Sequence, residues 1–436
     1  MKFAFLRQLP GTLYSAVLME LFERLAYYGM VLVLGIYLMQ HLGMRPALFG
    51  TLYGIFTAVL YFLPILAGAL ADRFGYRPAL VLAFSVLAAG YSLLGTTRSF
   101  PLIVLALGLI AVGGSIVKPT ISGTVTRTTE AGSTRPVGFG LYYTMINAGG
   151  LVGPVLAAQI RNRAAFRYVF LASAAACALM LLQALLAYRE PVPEAERRAG
   201  KCLKTVFREM VMVLGNWRFV LLLVLFSGFW GMFNGAMYGF MPTYLETFTG
   251  LRDTEAAIAR WLPFTRHFGH WLNAEVFISL DALLIVLLQG PVSYLTRRWP
   301  TLRAMSLGTF LATVSWLLPM ASPLPAVVAL GIVVWTLGEV TCSARFFEYC
   351  GSVAPRDQVA VYLGYAFLSI FLGNLIAGPW CGFLYQRFVR GPMEAGLGPS
   401  PWGFFGGVML LGGVSTVGLL VYGRFVAHED LKNSEG

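Results

Sequence analysis

The sequence predicts an all-α polytopic membrane protein, with twelve transmembrane helices in two six-helix bundles. Three observations carry this. Hydrophobic residues make up 58% of the 436-residue chain and charged residues 12%, against roughly 25% charged in a soluble domain; mean hydropathy is +0.71. Apolar runs of about 20 residues, long enough to cross a bilayer as helices, recur from end to end. One long polar stretch, 188–215, separates six such runs from six others.

The spans are expected near 12–40, 49–71, 79–96, 100–122, 137–160, 165–187, 216–247, 273–295, 302–321, 324–348, 359–386 and 402–426. Each must be helical, because a lipid-exposed backbone has to satisfy its own hydrogen bonds. The domains that follow are an N-terminal bundle over 1–187, a central cytoplasmic loop over 188–215 and a C-terminal bundle over 216–436. Basic residues set the orientation. Lys2 and Arg7 precede the first span; Arg73 and Arg77 follow the second, and Arg127 and Arg135 the fourth. Arg189, Arg197, Arg198, Lys201, Lys204 and Arg208 follow the sixth, Arg297, Arg298 and Arg303 the eighth, and Arg356 the tenth. With alternating spans these share one side, the cytoplasm, and both termini lie there. Arg161, Arg163 and Arg167 fall on the other side, so the rule holds as a bias.

The first apolar run leads directly into a charged helix, which does not match a cleavable signal. The net charge of +12 is scattered, with no dense basic block of the kind that binds nucleic acid. The five cysteines, mostly inside apolar runs, show no disulfide or metal spacing and read as small buried side chains. Neither a cofactor nor a metal is expected. The expected partners are a small-molecule substrate and membrane lipid, with the chain acting as a monomer. Segment 248–272 mixes Trp261, Phe264, Phe268 and Trp271 with Arg260, Arg266, His267 and His270. It reads either as an amphipathic helix at the outer interface or as an extracellular loop with aromatic anchors.

Residues 14–30 run YSAVLMELFERLAYYGM, placing Glu20, Glu23 and Arg24 inside an apolar helix. Charges at membrane depth are expensive and usually face a bundle interior or aqueous cavity. Glu20 and Arg24 are four apart and share a helix face, with Glu23 beside them. Two carboxylates around one guanidinium let one acid take a proton while the other keeps the ion pair. The bland alternative is an ion pair that only fixes the helix. Lys118 is a second lone cation in an apolar run, followed by Pro119; it either faces a cavity or snorkels to the interface. No nucleophile–base constellation supports an enzyme, so a transporter is the expected class.

Residues 68–78, GALADRFGYRP, resemble the loop signature of the major facilitator superfamily between its second and third helices. That resemblance implies a gating role for Asp72, Arg73 and Arg77, with Gly68 and Gly75 permitting close approach and a tight turn. The first span resembles the ExxER(F)xYYG motif of proton-dependent oligopeptide (POT/PTR) transporters: Glu20, Glu23 and Arg24, then Tyr27, Tyr28 and Gly29. The second span, Tyr53-Gly54 through Tyr61 to Gly68, resembles the same family. Tyr61 is then a cavity tyrosine, or else a core or interface one. Gly113 to Pro119 resembles the GxGxxKP segment, with Lys118 binding a substrate carboxylate or pairing with a cavity acid. Phe139 to Pro154 resembles FYxxINxGxxxxP, with Asn147 hydrogen-bonding substrate and Gly149, Gly150 and Gly153 allowing close helix packing. Glu339 matches the family's tenth-helix glutamate, which pairs across the cavity or reads a substrate amine. Arg345 and Glu348 read as gate or capping residues. The eleventh span resembles the family around Gly373, Asn374 and Gly378.

The seventh span departs from the pattern. Phe229-Trp230-Gly231-Met232-Phe233-Asn234-Gly235 carries no carboxylate where the family usually has one. Asp281 in the eighth span either replaces that acid or serves helix packing. The resemblance implies proton-coupled (H+) symport of di- or tripeptides, or peptide-like molecules, into the cytoplasm across a bacterial inner membrane. In that cycle Glu20, Glu23, Arg24, Lys118, Asp281 and Glu339 handle protons. Arg24, Tyr27, Tyr28, Tyr61, Lys118, Asn147, Trp230, Asn234 and Glu339 contact substrate. The runner-up is a facilitator that exports or imports a non-peptide small amphiphile or carboxylate.

Overall fold

The computed structural model describes residues 9–130, 134–191, 193, 203–268, 270–354 and 359–434. Lys2, Arg7, Arg197, Arg198, Lys201 and Arg356, which contribute to the loop-charge bias, lie outside these residues, as do the side chains of Lys204, Arg266, His267 and Phe268.

Among the described residues, twelve helices are long and apolar enough to cross a membrane. They are Gly11–His41, Pro46–Phe74, Tyr76–Thr96, Phe100–Thr128, Val137–Arg163, Phe166–Leu186, Trp217–Phe248, Ala274–Thr296, Thr301–Ala321, Pro325–Ser352, Tyr362–Glu394 and Pro401–Phe425. They are called here the first to twelfth spans. The fourth span runs past its expected end because its polar tail stays helical. The hydroxyls of Thr124, Thr126 and Thr128 donate back to the carbonyls of Thr120, Ser122 and Thr124 at 2.8, 3.0 and 2.7 Å. The eleventh runs on through a wider π-helical segment, Gln386–Arg390.

By contact the chain forms two compact units. One holds the chain to Val33 together with Val59–Glu209; the other holds Leu34–Ala58 together with the chain from Met210. In the first unit the third span packs on the fourth and sixth; in the second the ninth packs on the tenth and twelfth. The same arrangement therefore recurs in each half, as in transporters built from repeats. Glycines set the closest approaches. A Cβ at Gly113 would stand 2.9 Å from the Ala83 carbonyl, and one at Gly338 2.6 Å from the Gly308 carbonyl. Small residues let apolar helices bring their backbones together where lipid gives no hydrophobic drive. In the second unit the end of the first span meets the seventh at Gly35–Gly239, and the second span meets the eleventh at Gly50–Gly378 and Gly54–Asn374.

The turn between the second and third spans is held at both ends. Gly75 has φ 104° and ψ 151°, a backbone region essentially restricted to glycine. Glu190, just past the sixth span, accepts the amide N–H groups of Tyr76 (3.1 Å) and Arg77 (2.8 Å) at the start of the third. In return, Arg77 donates to the carbonyls of Ala184 and Leu185 at the end of the sixth. An acid thus covers a helix N-terminus and a cation a helix C-terminus. Gly75→Val is expected to lower stability by roughly 1–3 kcal/mol. Gly140→Ala, where nothing lies within 4 Å of the added carbon, should leave the detergent unfolding midpoint unchanged or higher. Equal midpoints for Gly75→Val and wild type would refute the turn's requirement.

Segment 248–272 is partly helical. Leu251–Trp261 is a helix followed by a short 3-10 turn, Pro263–Phe268. Leu251 and Ala259 are buried, Arg252, Asp253 and Arg260 exposed, and Trp261 and Phe264 are 85% and 60% exposed. Apolar side chains thus lie on both the covered and the open side.

Candidate functional site

The first unit gathers its charges on one face of the first span. Glu20, Glu23 and Arg24 are 0%, 1% and 2% exposed. Spacings of three and four residues place them on adjoining turns. Arg24 Nε lies 3.4 Å from Glu20 Oε1, and its guanidinium donates to Glu23 Oε2. Glycine makes room for this face. A Cβ at Gly149 of the fifth span would stand 2.4 Å from Arg24 Cβ, and one at Gly114 of the fourth 3.7 Å from Glu23 Oε1. The guanidinium carbon sits 5.2 and 5.9 Å from the ring centres of Tyr27 and Tyr28, within cation–π range. Lys118 is half-buried, with Nζ 4.9 Å from the ring centre of Tyr61, and it feels the charges of Glu20, Glu23 and Arg24. Pro119 has no amide hydrogen to give the carbonyl of Ser115, so the helix is polar at the lysine's level. Two carboxylates face two cations, and one proton changes the balance. Asn147 is half-buried and donates to the Tyr143 carbonyl at 2.9 Å. Asp72, Arg73 and Arg77 are exposed. Asp72 Oδ1 accepts from the Tyr76 hydroxyl at 2.7 Å, and Arg77 is engaged with the sixth span as described.

The second unit carries a pair of acids. Asp281 Oδ1 accepts from Thr336 Oγ1 at 2.6 Å, and Glu339 Oε2 from Trp335 Nε1 at 3.1 Å. The two carboxylates are close enough to repel one another. Asp281 Oδ2 is buried without a hydrogen-bond partner, a group that a proton or a ligand would satisfy. The Trp335 ring stacks against two aromatic neighbours of the seventh span, with Phe229 at 5.6 Å and 5° and Phe233 at 6.1 Å and 14°. Trp230 and Asn234 are buried at 8% and 4% exposure. Asn234 Nδ2 donates to the Trp230 carbonyl at 3.4 Å and lies in the π-helical segment Met232–Phe240, an irregularity frequent at functional sites. Arg345 bonds the Thr296 carbonyl and Glu348, both at 2.7 Å, so it caps the eighth span. Among the described residues, no group of three His, Cys, Asp or Glu side chains is placed to hold a metal ion.

The model of one family, the Major Facilitator Superfamily, matches residues 16–378. The chain belongs to the Major Facilitator Superfamily. Two relatives of this facilitator are informative. Dipeptide and tripeptide permease B of Aliivibrio fischeri is 35% identical over 172 residues, 39% of this chain and 34% of that protein. Dipeptide and tripeptide permease A of Erwinia pyrifoliae is 26% identical over 431 residues, 85% of each chain. The facilitator thus spans about a third of the first relative's length and most of the second's. In fold it resembles a crystal structure of a point mutant of the peptide transporter POT in complex with sulfate, with TM-score 0.77 and 19% identity. That match covers 96% of this chain and 95% of the other.

Sequence reading missed several residues of the facilitator's charged sites. Trp335 was legible in principle, since it stands one helical turn before Glu339 and reaches it at i,i+4. Thr336 meets Asp281 from another span, a pairing that spacing cannot reveal. Glu275, fully buried at the start of the eighth span, was signalled only as a carboxylate bordering an apolar run.

Proposed function

We propose that this facilitator is a symporter of the proton-dependent oligopeptide type, bringing di- or tripeptides or peptide-like molecules into the cytoplasm with H+. The observation that carries the reading is the buried cluster of Glu20, Glu23 and Arg24, with the half-buried Lys118 within its electrostatic reach. An ion pair built only to hold a helix needs one acid and one base, whereas here a second acid and a second base lie within electrostatic reach. Protonation of either carboxylate leaves the other paired with Arg24 and frees positive charge for a substrate carboxylate. Tyr27, Tyr28 and Tyr61 border that cluster, Asn147 stands two residues before Gly149, which packs on Arg24, and Lys118 is the second cation a carboxylate would meet. Asp281 and Glu339 supply negative charge for a substrate amine or a further proton, with Trp230 and Asn234 on the neighbouring span. Asp72, Arg73 and Arg77 act at the cytoplasmic gate. The relatives' names, dipeptide and tripeptide permeases, support the substrate class.

A second reading rests on the seventh span. It offers Phe229, Trp230 and Phe233 where an acid is expected, and this aromatic wall suits a less polar, non-peptide substrate. One experiment separates the two. Labelled di-alanine uptake into proteoliposomes should rise above equilibrium only with an alkaline interior, and unlabelled di- and tripeptides should compete. Folded protein that shows neither uptake nor competition would sink the peptide reading and leave the second.

A further inference from the structure

A cavity of about 1020 Å³ opens inside the second unit, away from the acid pair. Four spans line it: the start of the seventh with Asn216 and Arg218, the start of the ninth with Arg303, the end of the tenth with Tyr349, and the end of the twelfth with Tyr422 and Arg424. Loop charge assigns these ends to the cytoplasmic side. Tyr349 follows Glu339 by ten residues along one helix, about 15 Å at the helical rise, so the cavity is separate from the carboxylates.

Its chemistry is one-sided. Three arginines line it, and no carboxylate is among its described lining residues. The seventh and ninth spans begin at Trp217 and Thr301, so two helix N-termini, the positive ends of their dipoles, open at the same place. The rings of Tyr349 and Tyr422 meet edge-on, 6.5 Å apart at 80°, forming a wall with aromatic faces and phenol groups. Guanidinium groups match phosphate oxygens in pairs. Leu420, 50% exposed, also borders the cavity, which gives an apolar chain a way out along the twelfth span.

We propose that this cavity binds an anionic phosphate group, carried by an acidic lipid headgroup or by a soluble phosphate, on the cytoplasmic side and apart from the transport path. Basic pockets between membrane helices on that side recognise such headgroups. Nothing in the transport cycle proposed above uses Arg303 or Arg424, so the two readings can fail separately.

The test uses the full chain in detergent. Native mass spectrometry and thermal unfolding would be run with phosphatidylglycerol, phosphatidylethanolamine and inorganic phosphate as separate additions. Wild type is expected to retain phosphatidylglycerol and to unfold at higher temperature with it. Arg303→Gln with Arg424→Gln should weaken that retention roughly thirtyfold, and the Arg303→Lys, Arg424→Lys variant should keep most of it. Phosphatidylethanolamine should not distinguish the variants. If inorganic phosphate stabilises wild type but not the Gln variant while the lipid does nothing, the site stands and its ligand is soluble. If neither anion separates wild type from the Gln variant, or from either single Gln variant should the double not fold, the proposal is overturned.

Discussion

Glu23→Gln is expected to end uphill transport while leaving the protein folded and able to exchange substrate. The amide keeps the shape of the side chain and an oxygen for the Arg24 guanidinium to bond, but it cannot gain or lose a proton. A pH difference of one unit carries about 1.4 kcal/mol per proton, roughly a tenfold accumulation at one proton per substrate. The variant should accumulate substrate only to the outside concentration, whatever the gradient, yet still exchange labelled for unlabelled substrate when both sides are loaded. Lys118→Ala should instead weaken both modes, because it removes a cation from the place where a substrate carboxylate would bind. Tenfold accumulation surviving in Glu23→Gln would remove this acid from the coupling step.

Arg24→Ala is expected to be the most damaging single change to stability. It strips the shared cation from Glu20 and Glu23, which are 0% and 1% exposed. Breaking a buried pair by deleting one partner costs about 3–5 kcal/mol, because the remaining charge is left uncompensated. Arg24→Lys should lose less, since it keeps the charge but not the fork that reaches both acids. Adding Glu20→Gln and Glu23→Gln to Arg24→Ala should recover much of the loss. Unfolding midpoints in detergent would rank the four proteins. A midpoint for Arg24→Ala equal to wild type would mean that the acids find other partners or shed their charge.

Much of this was legible in the chain because membrane helices obey one strong rule. A run without charges and about 20 residues long must be a helix, so the spans could be placed to within a few residues at most ends. Where they could not, a local device outside that rule decides the end. The threonines of the fourth span satisfy their own hydroxyls, and the π-helical segment at Gln386–Arg390 carries the eleventh past its charges. The cluster on the first span was legible for the same reason that it is functional: charge in lipid is conspicuous, and spacings of three and four put it on one face. What could not be read were contacts between distant segments. Nothing near Asp281 announces Thr336, and nothing near Arg77 announces Glu190. The assignment of Leu34–Ala58 to the second unit depends on glycines of the seventh and eleventh spans that no periodicity connects to it.

That last feature bears on how the protein is made. The chain leaves the ribosome N-terminus first, but the surfaces that Gly35, Gly50 and Gly54 press against belong to the seventh and eleventh spans. Gln40 must wait for a carbonyl 203 residues later, and the Met39 carbonyl for a guanidinium 351 residues later. The first two spans therefore enter the bilayer with part of their packing surface uncovered, and it stays so until the eleventh span has been made. Contacts this remote form late and slowly. A chain stopped early would present bare glycine backbone to lipid or to a neighbouring molecule, which is where a quality-control protease would find it.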